Sequence, residues 1–201
     1  MASVARQTYT PEEYLELERK ADYKSEYING EIYAMAGASA AHITLIGNIW
    51  GEIRQQHKGR SCRSYAMDMR VQVKPTGMYT YPDLVVACGE RNFSDAKHDT
   101  LINPTLIIEI LSPTTEAYDR GEKFAHYRKL PSLQEYILVS QDKMRVERYT
   151  RQGEDWLLSE ISDPNSTLNL TSINCAIPLT DIYTDVDFPT EPPPVRDRAE
   201  S

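Results

Sequence analysis

Two acidic residues stand where apolar ones belong. Glu109 lies inside "TLIIEIL", and Asp83 opens the run "DLVVAC" directly after Pro82. A carboxylate within a buried strand is costly unless something pairs with it. Side chains alternate faces along a strand, so Glu109 shares a face with Ile107 and Leu111, opposite Ile108 and Ile110. If the two strands are neighbours, Asp83 and Glu109 converge at one end of a sheet. Two close carboxylates repel, and one pKa rises unless a cation neutralises the pair. Hard oxygen ligands of this kind suit Mg2+ or Mn2+, and the backbone carbonyl of Ile110 is a further ligand within reach. The structural alternative stands beside this one. Asp83 ends a turn, and Glu109 pairs with a core lysine or arginine, as structural ion pairs also do.

A lysine for the site would have to come from the next segment. Asp119, Lys123 and Tyr127 are spaced i, i+4, i+8 on "TEAYDRGEKFAHYRKLP", with Leu130 near the same stripe. Spacing alone favours an exposed Asp119–Lys123 pair, worth about 0.3–0.5 kcal/mol. Arg120 and His126 flank Lys123 and point either to a phosphate or to solvent.

The elements that must position these residues follow from pattern. "TYTPEEYLELERKADY" reads as a helix capped by Thr10, with Pro11 at its first position. Asn29-Gly30, between short apolar runs, marks a hairpin. "SAAHITLIGNIWGEIRQQHKG" is a second helix, on which Ile43, Ile46, Ile49, Trp50 and Ile53 recur at helical spacing and Gly59 lies past the end. "CRSYAM" and "MRVQVK" are strands, "PTG" a turn, and "DLVVAC" and "TLIIEIL" central strands apolar on both faces. "ERNFSDAKHDTLINP" reads as a polar loop. The segment carrying Lys123 is a helix closed by Pro131. "EYILVS" is a buried strand, and "KMRVERYT" with "DWLLSEI" forms an antiparallel meander. The fold class is therefore α/β (α+β), a mixed sheet flanked by helices. Residues 1–188 read as one domain, and 189–201 as a Pro-rich, charged, mobile tail.

Composition narrows the function. The 201 residues carry 22 Lys+Arg against 30 Asp+Glu, a formal charge of −8, which argues against broad electrostatic attachment to nucleic acid. Cys62, Cys88 and Cys175 form no CxxC pair, so neither a zinc knuckle nor a disulfide framework is indicated, and Cys88 reads as a buried thiol. There is no GxGxxG or P-loop pattern. No signal-like N-terminus or membrane-length apolar run is visible, so a cytoplasmic location without membrane contact is expected.

"YPDLVVAC", "IIEILSPTT", "DRGEKFAHYRKLPSLQEYILVS" and "SEYINGEIYAMAGASAAH" together resemble the Uma2 family (DUF820), restriction-endonuclease-like proteins of the PD-(D/E)XK nuclease superfamily. The match runs from about Tyr9 to about Val139. The resemblance implies a restriction-endonuclease-like αβββαβ core, Mg2+ (or Mn2+) dependence and hydrolysis of DNA phosphodiester bonds. It also implies a homodimer, since duplex cleavage in the superfamily often uses two sites. It gives Asp83 and Glu109 the metal, with Ile110 contributing its carbonyl. The superfamily lysine should fall at 111, where Leu111 stands; in the Uma2-like arrangement it moves to Lys123. Glu26 resembles the acid of the first element, and His42 matches a histidine typical of the family. The competing expectations are a non-catalytic nucleic-acid-binding or protein-interaction module on the same fold, and a different hydrolase using the same carboxylates.

Overall fold

In the computed structural model, which describes residues 7–189, the Thr10 hydroxyl accepts from the Glu13 amide at 3.2 Å. The Glu13 carboxylate in turn accepts from the Thr10 amide at 2.8 Å. Two amides that a helix start leaves unpaired are thereby satisfied, and α1 runs Pro11–Glu18. Asn29 and Gly30 both take left-handed backbone angles (φ 52° and 89°), the geometry a two-residue hairpin turn requires. They join β1 (Ser25–Ile28) to β2 (Glu31–Ala34). Ser39 caps α2 (Ala40–Gln56), its hydroxyl accepting from the His42 amide at 3.1 Å.

The remaining strands in chain order are β3 (Arg63–Ala66), β4 (Arg70–Val73), β5 (Met78–Thr80), β6 (Leu84–Ala87), β7 (Thr100–Leu101) and β8 (Leu106–Leu111). After the lysine-bearing segment come β9 (Glu135–Ser140), β10 (Val146–Gln152), β11 (Asp155–Ile161), β12 (Thr167–Leu170) and β13 (Cys175–Pro178). They assemble as a six-stranded sheet β11-β10-β9-β8-β6-β3, a five-stranded sheet β2-β1-β5-β4-β7, and the pair β12-β13. Most neighbours are antiparallel, but β8 pairs β9 parallel and β4 pairs β7 parallel, so both larger sheets are mixed. The fold class is mixed α+β, as the sequence pattern implies.

The central strands of the six-stranded sheet, β6, β8 and β9, are buried on both faces. Ile108 and Ile110 of β8 pack with Leu45, Ile46, Ile49 and Ile53 of α2. Ile107 and Leu111, on the opposite face, pack with Val71 and Val73 of β4, Met78 of β5, Phe124 and Tyr127. Glu109 therefore points into the seam between the two sheets.

Several expectations change. Cys62 and Cys88 are joined as a disulfide, with Cα atoms 3.9 Å apart. The antiparallel register Arg63↔Ala87 places them opposite one another, a proximity that 26 residues of sequence separation conceals. Cys175 is the free, buried cysteine. Ile43 is half exposed, because the buried stripe of α2 runs through Leu45, Ile46, Ile49 and Ile53, whereas Ile43 aligns with exposed Gly47 and Gly51. The loop after β6 contains the short strand β7. The single helix expected before Pro131 is three pieces: α3 (Glu116–Tyr118), a π-helical turn (Asp119–Lys123) and α4 (Phe124–Tyr127). Apart from Pro189, the expected Pro-rich tail lies outside the described residues. Among the described residues no helix is long and apolar enough to cross a membrane.

A second charged cluster ties α1 to the segment before β7. Arg19 meets Asp95 at 2.6 Å and Asp99 at 2.9 Å, and the buried Arg70 meets Asp99 at 3.1 Å. Burial alone would raise the Asp99 pKa. The bonds from Arg19 and the Thr100 hydroxyl, with the Arg70 charge, outweigh it and hold the carboxyl well below its ordinary value. A folded pKa below the unfolded one gives stabilisation that is present above about pH 4 and lost as pH falls through the folded value. Thermal melts from pH 6 to pH 2 should show this acid-side loss in the wild type and a flatter profile in Asp99→Asn.

Candidate active site

The register Leu84↔Ile108 between β6 and β8 puts the next residues, Asp83 and Glu109, opposite each other. Where β6 has ended, side chains replace the ladder. The Asp83 amide donates to Glu109 Oε2 at 3.2 Å, and the Ile110 amide donates to Asp83 Oδ2 at 2.7 Å. A residue's N–H and C=O leave a strand on the same side, so the Ile110 carbonyl is directed to the edge where Asp83 sits. His42, in the first turn of α2, places Nε2 2.8 Å from Asp83 Oδ1. Asp83 and His42 keep 20% and 14% of their side-chain surface exposed, whereas Glu109 keeps 4%, so the Asp83–His42 side is the more open one.

Lys123 reaches this pair from the π-helical turn. Its side chain is 7% exposed, with Nζ 3.0 Å from Glu109 Oε1, 3.1 Å from Glu26 Oε1 and 3.6 Å from Asp119 Oδ1. The Asp119–Lys123 pair that spacing favours does form, but it is buried rather than exposed. Asp119, Lys123 and Tyr127 all face inward, while Gly121 and Glu122 face out. A π-turn is a rare insertion that often marks functional positions. Here it lies in the segment that turns a lysine toward buried carboxylates.

Glu26 comes from β1 of the other sheet. It accepts from Thr80 of β5, and its Oε2 accepts from the Tyr118 hydroxyl at 3.3 Å. Tyr127 donates to Glu109 Oε1 at 2.9 Å. The six residues that the resemblance assigns to the site (Asp83, Glu109, Ile110, Lys123, Glu26 and His42) therefore meet in one place. Thr80, Tyr118 and Asp119 join them. No sequence pattern marks Thr80 or Tyr118, whose contacts arise only when the two sheets come together. Arg120 and His126 go elsewhere. Arg120 pairs with Glu116 at 2.9 Å and Glu147 at 2.8 Å, and His126 Nδ1 meets Thr76 Oγ1 at 2.7 Å.

The charge balance is one-sided. Glu109, Glu26 and Asp119 gather around the ammonium of Lys123, and Asp83 sits beside Glu109. Burial disfavours the Lys123 charge, but Glu109, Glu26 and Asp119 together hold its pKa well above the ordinary value. Burial pushes the Glu109 carboxyl up. Lys123 opposes this, and Asp83 and Asp119 add to it. The two shifts agree in meaning: the lysine stays charged, and the surplus of acid falls on the most deeply buried carboxyl.

This donor set fits a small, hard divalent cation. Among the described residues no three His, Cys, Asp or Glu side chains form a cage. Mg2+ does not need one, since it binds through one or two carboxylates and keeps several waters. Each carboxylate oxygen has two lone pairs. Glu109 Oε1 spends both, on Tyr127 and Lys123, whereas Glu109 Oε2 and both Asp83 oxygens spend one each. Three oxygens at the Asp83–Glu109 junction therefore keep a free lone pair.

Comparison with known proteins gives the family. Residues 11–179 match the family Uma2, described as "Putative restriction endonuclease". The chain belongs to the Uma2 family. Two relatives from Synechocystis sp. (strain ATCC 27184 / PCC 6803 / Kazusa) support the assignment. "Uncharacterized protein sll1609" is 38% identical over 163 residues, covering 81% of this chain and 92% of its own. "Uncharacterized protein slr1290" is 36% identical over 180 residues, covering 89% and 93%. Among solved structures, the "putative nuclease belonging to DUF820" from Anabaena variabilis ATCC 29413 superposes with a TM-score of 0.73 at 23% identity. It covers 87% of this chain and 97% of that one. At that identity the likeness is one of fold, and it agrees with the mixed sheets described above.

Proposed function

We propose that this Uma2 protein is a Mg2+-dependent endonuclease that hydrolyses DNA phosphodiester bonds at the Asp83–Glu109 junction. The observation that carries the reading is the meeting of Asp83 and Glu109 on adjoining strands, with the buried Lys123 ammonium 3.0 Å from Glu109. Asp83, Glu109 and the Ile110 carbonyl hold Mg2+ or Mn2+. When bound, the ion lowers the pKa of a coordinated water and stabilises charge on the phosphate. Lys123 keeps Glu109 and Glu26 in place and sets a fixed positive charge beside the reacting phosphate. Glu26, on the far side of Lys123, holds that ammonium from the second sheet. His42 fixes the Asp83 carboxylate by bonding Oδ1, as outer partners of metal-binding carboxylates do. Substrate enters from the Asp83–His42 side. The protein works as a homodimer in the cytoplasm.

The test is incubation of supercoiled plasmid and of single-stranded oligonucleotide with purified protein in Mg2+, Mn2+ or EDTA. Cleavage is expected with either ion and none with EDTA. The rival reading, a nucleic-acid-binding module on the same fold, rests on Leu111 in the lysine's usual place. It predicts a gel shift in EDTA, with a salt slope set by phosphate contacts, and no cleavage.

A further inference from the structure

The site contains a buried hydroxyl that the proposed chemistry does not use directly. Tyr127 is fully buried and packs against Tyr136, with ring centroids 5.5 Å apart. A phenylalanine ring would fill the same space. A buried hydroxyl is costly unless bonded, so its partners carry its meaning. Tyr127 donates to Glu109 Oε1 at 2.9 Å and lies 3.4 Å from Thr80 Oγ1, and Thr80 bonds Glu26. Lys123 bridges Glu26 Oε1 and Glu109 Oε1 from the other side, at 3.1 and 3.0 Å. Each hydroxyl has one proton; Thr80 gives its own to Glu26 and Tyr127 gives its own to Glu109, so the groups form an open chain, Thr80–Glu26–Lys123–Glu109–Tyr127. It spans both sheets and the π-turn.

We infer that Tyr127 is a positioning residue that makes Glu109 a one-oxygen metal ligand. The inference rests on the metal-dependent reading above. Its physical basis is the lone-pair count. With Tyr127 and Lys123 both on Oε1, that oxygen is fully spent, and Oε2, beside Asp83, is the Glu109 oxygen left to coordinate. Without the tyrosine hydroxyl, Oε1 regains a lone pair and the carboxylate loses a fixed donor that sets its rotation. Outer partners of this type typically change metal affinity by about 10–100-fold.

The experiment is calorimetric titration of Mn2+ into the full-length wild type, Tyr127→Phe, Thr80→Val and Thr80→Ser, with a thermal melt of each in EDTA. Tyr127→Phe is expected to weaken Mn2+ binding by about 10–100-fold. Cleavage should then require proportionately more metal, while kcat at saturating metal falls less. Thr80→Val, which removes the donor to Glu26 at the far end of the chain but leaves the Tyr127–Glu109 bond, should shift affinity in the same direction by less, and Thr80→Ser should restore it. If Tyr127→Phe is too unstable to titrate, the Thr80 pair decides. Wild-type Mn2+ affinity in Tyr127→Phe, or in Thr80→Val where Tyr127→Phe does not fold, overturns the inference and leaves Tyr127 a core side chain whatever the melts show. In that outcome the metal-dependent reading survives, because the wild type still binds. Absence of Mn2+ binding by the wild type removes both.

Discussion

Replacing Lys123 with methionine should cost about 3–5 kcal/mol of stability, the scale of breaking a buried ion pair by removing one partner. The side chain is of similar length and apolar, so packing is largely kept and the loss is electrostatic. Glu26, Glu109 and Asp119 each lie within 3.6 Å of the lysine nitrogen and would lose the counter-charge they share. Domains have about 5–15 kcal/mol to lose, so the variant should melt far below the wild type. The penalty should also depend on pH. An acid whose folded pKa is raised contributes stability that is full below its unfolded pKa and lost as pH rises through the folded one. Glu109 and Asp119 are raised already, and removal of Lys123 raises both further. Lys123→Met should therefore fall further behind the wild type at pH 8 than at pH 5. Paired thermal melts at the two pH values check this. An equal deficit at both would show that the lysine does not offset the carboxylates.

Asp83→Ala should do the opposite, abolishing activity while largely sparing the fold. Asp83 sits at the more open side of the site, and its removal leaves one amide, that of Ile110, without its acceptor. That costs about 1–3 kcal/mol. Cleavage should fall by at least about 10²–10³-fold, the effect of losing one preorganised electrostatic group at a reacting centre. Plasmid-nicking rates, set beside a melt of the same preparation, separate the two effects. Cleavage within a few fold of wild type by Asp83→Ala would remove Asp83 from the chemistry.

The acids were legible in the sequence because they break an otherwise consistent pattern. A glutamate in "TLIIEIL" contradicts its neighbours, and strand alternation correctly gives its face, with Ile107 and Leu111 on one side and Ile108 and Ile110 on the other. The helix cap at Thr10 and the Asn29-Gly30 turn were legible for the same reason: each is a local signal with a local cause. What local pattern does not encode is which strands pair. The Cys62–Cys88 bond and the opposition of Asp83 to Glu109 both follow from β6 lying between β3 and β8. The inward turn of Lys123 was hidden in a similar way. Periodicity places Asp119, Lys123 and Tyr127 on one stripe, but only the resemblance to Uma2 pointed that stripe toward the acids. Tertiary electrostatics decide it, because three carboxylates from β1, β8 and the π-turn itself require a cation between them. Thr80 had no signal at all, since its partners Glu26 and Tyr127 belong to elements far from it in the chain.

The central claim is that the Asp83–Glu109 junction is a divalent-metal centre, and calorimetric titration of Mn2+ into the wild type and Asp83→Ala tests it most directly. The account predicts saturable binding to the wild type that Asp83→Ala loses. No binding by the wild type, or equal binding by the variant, would contradict it.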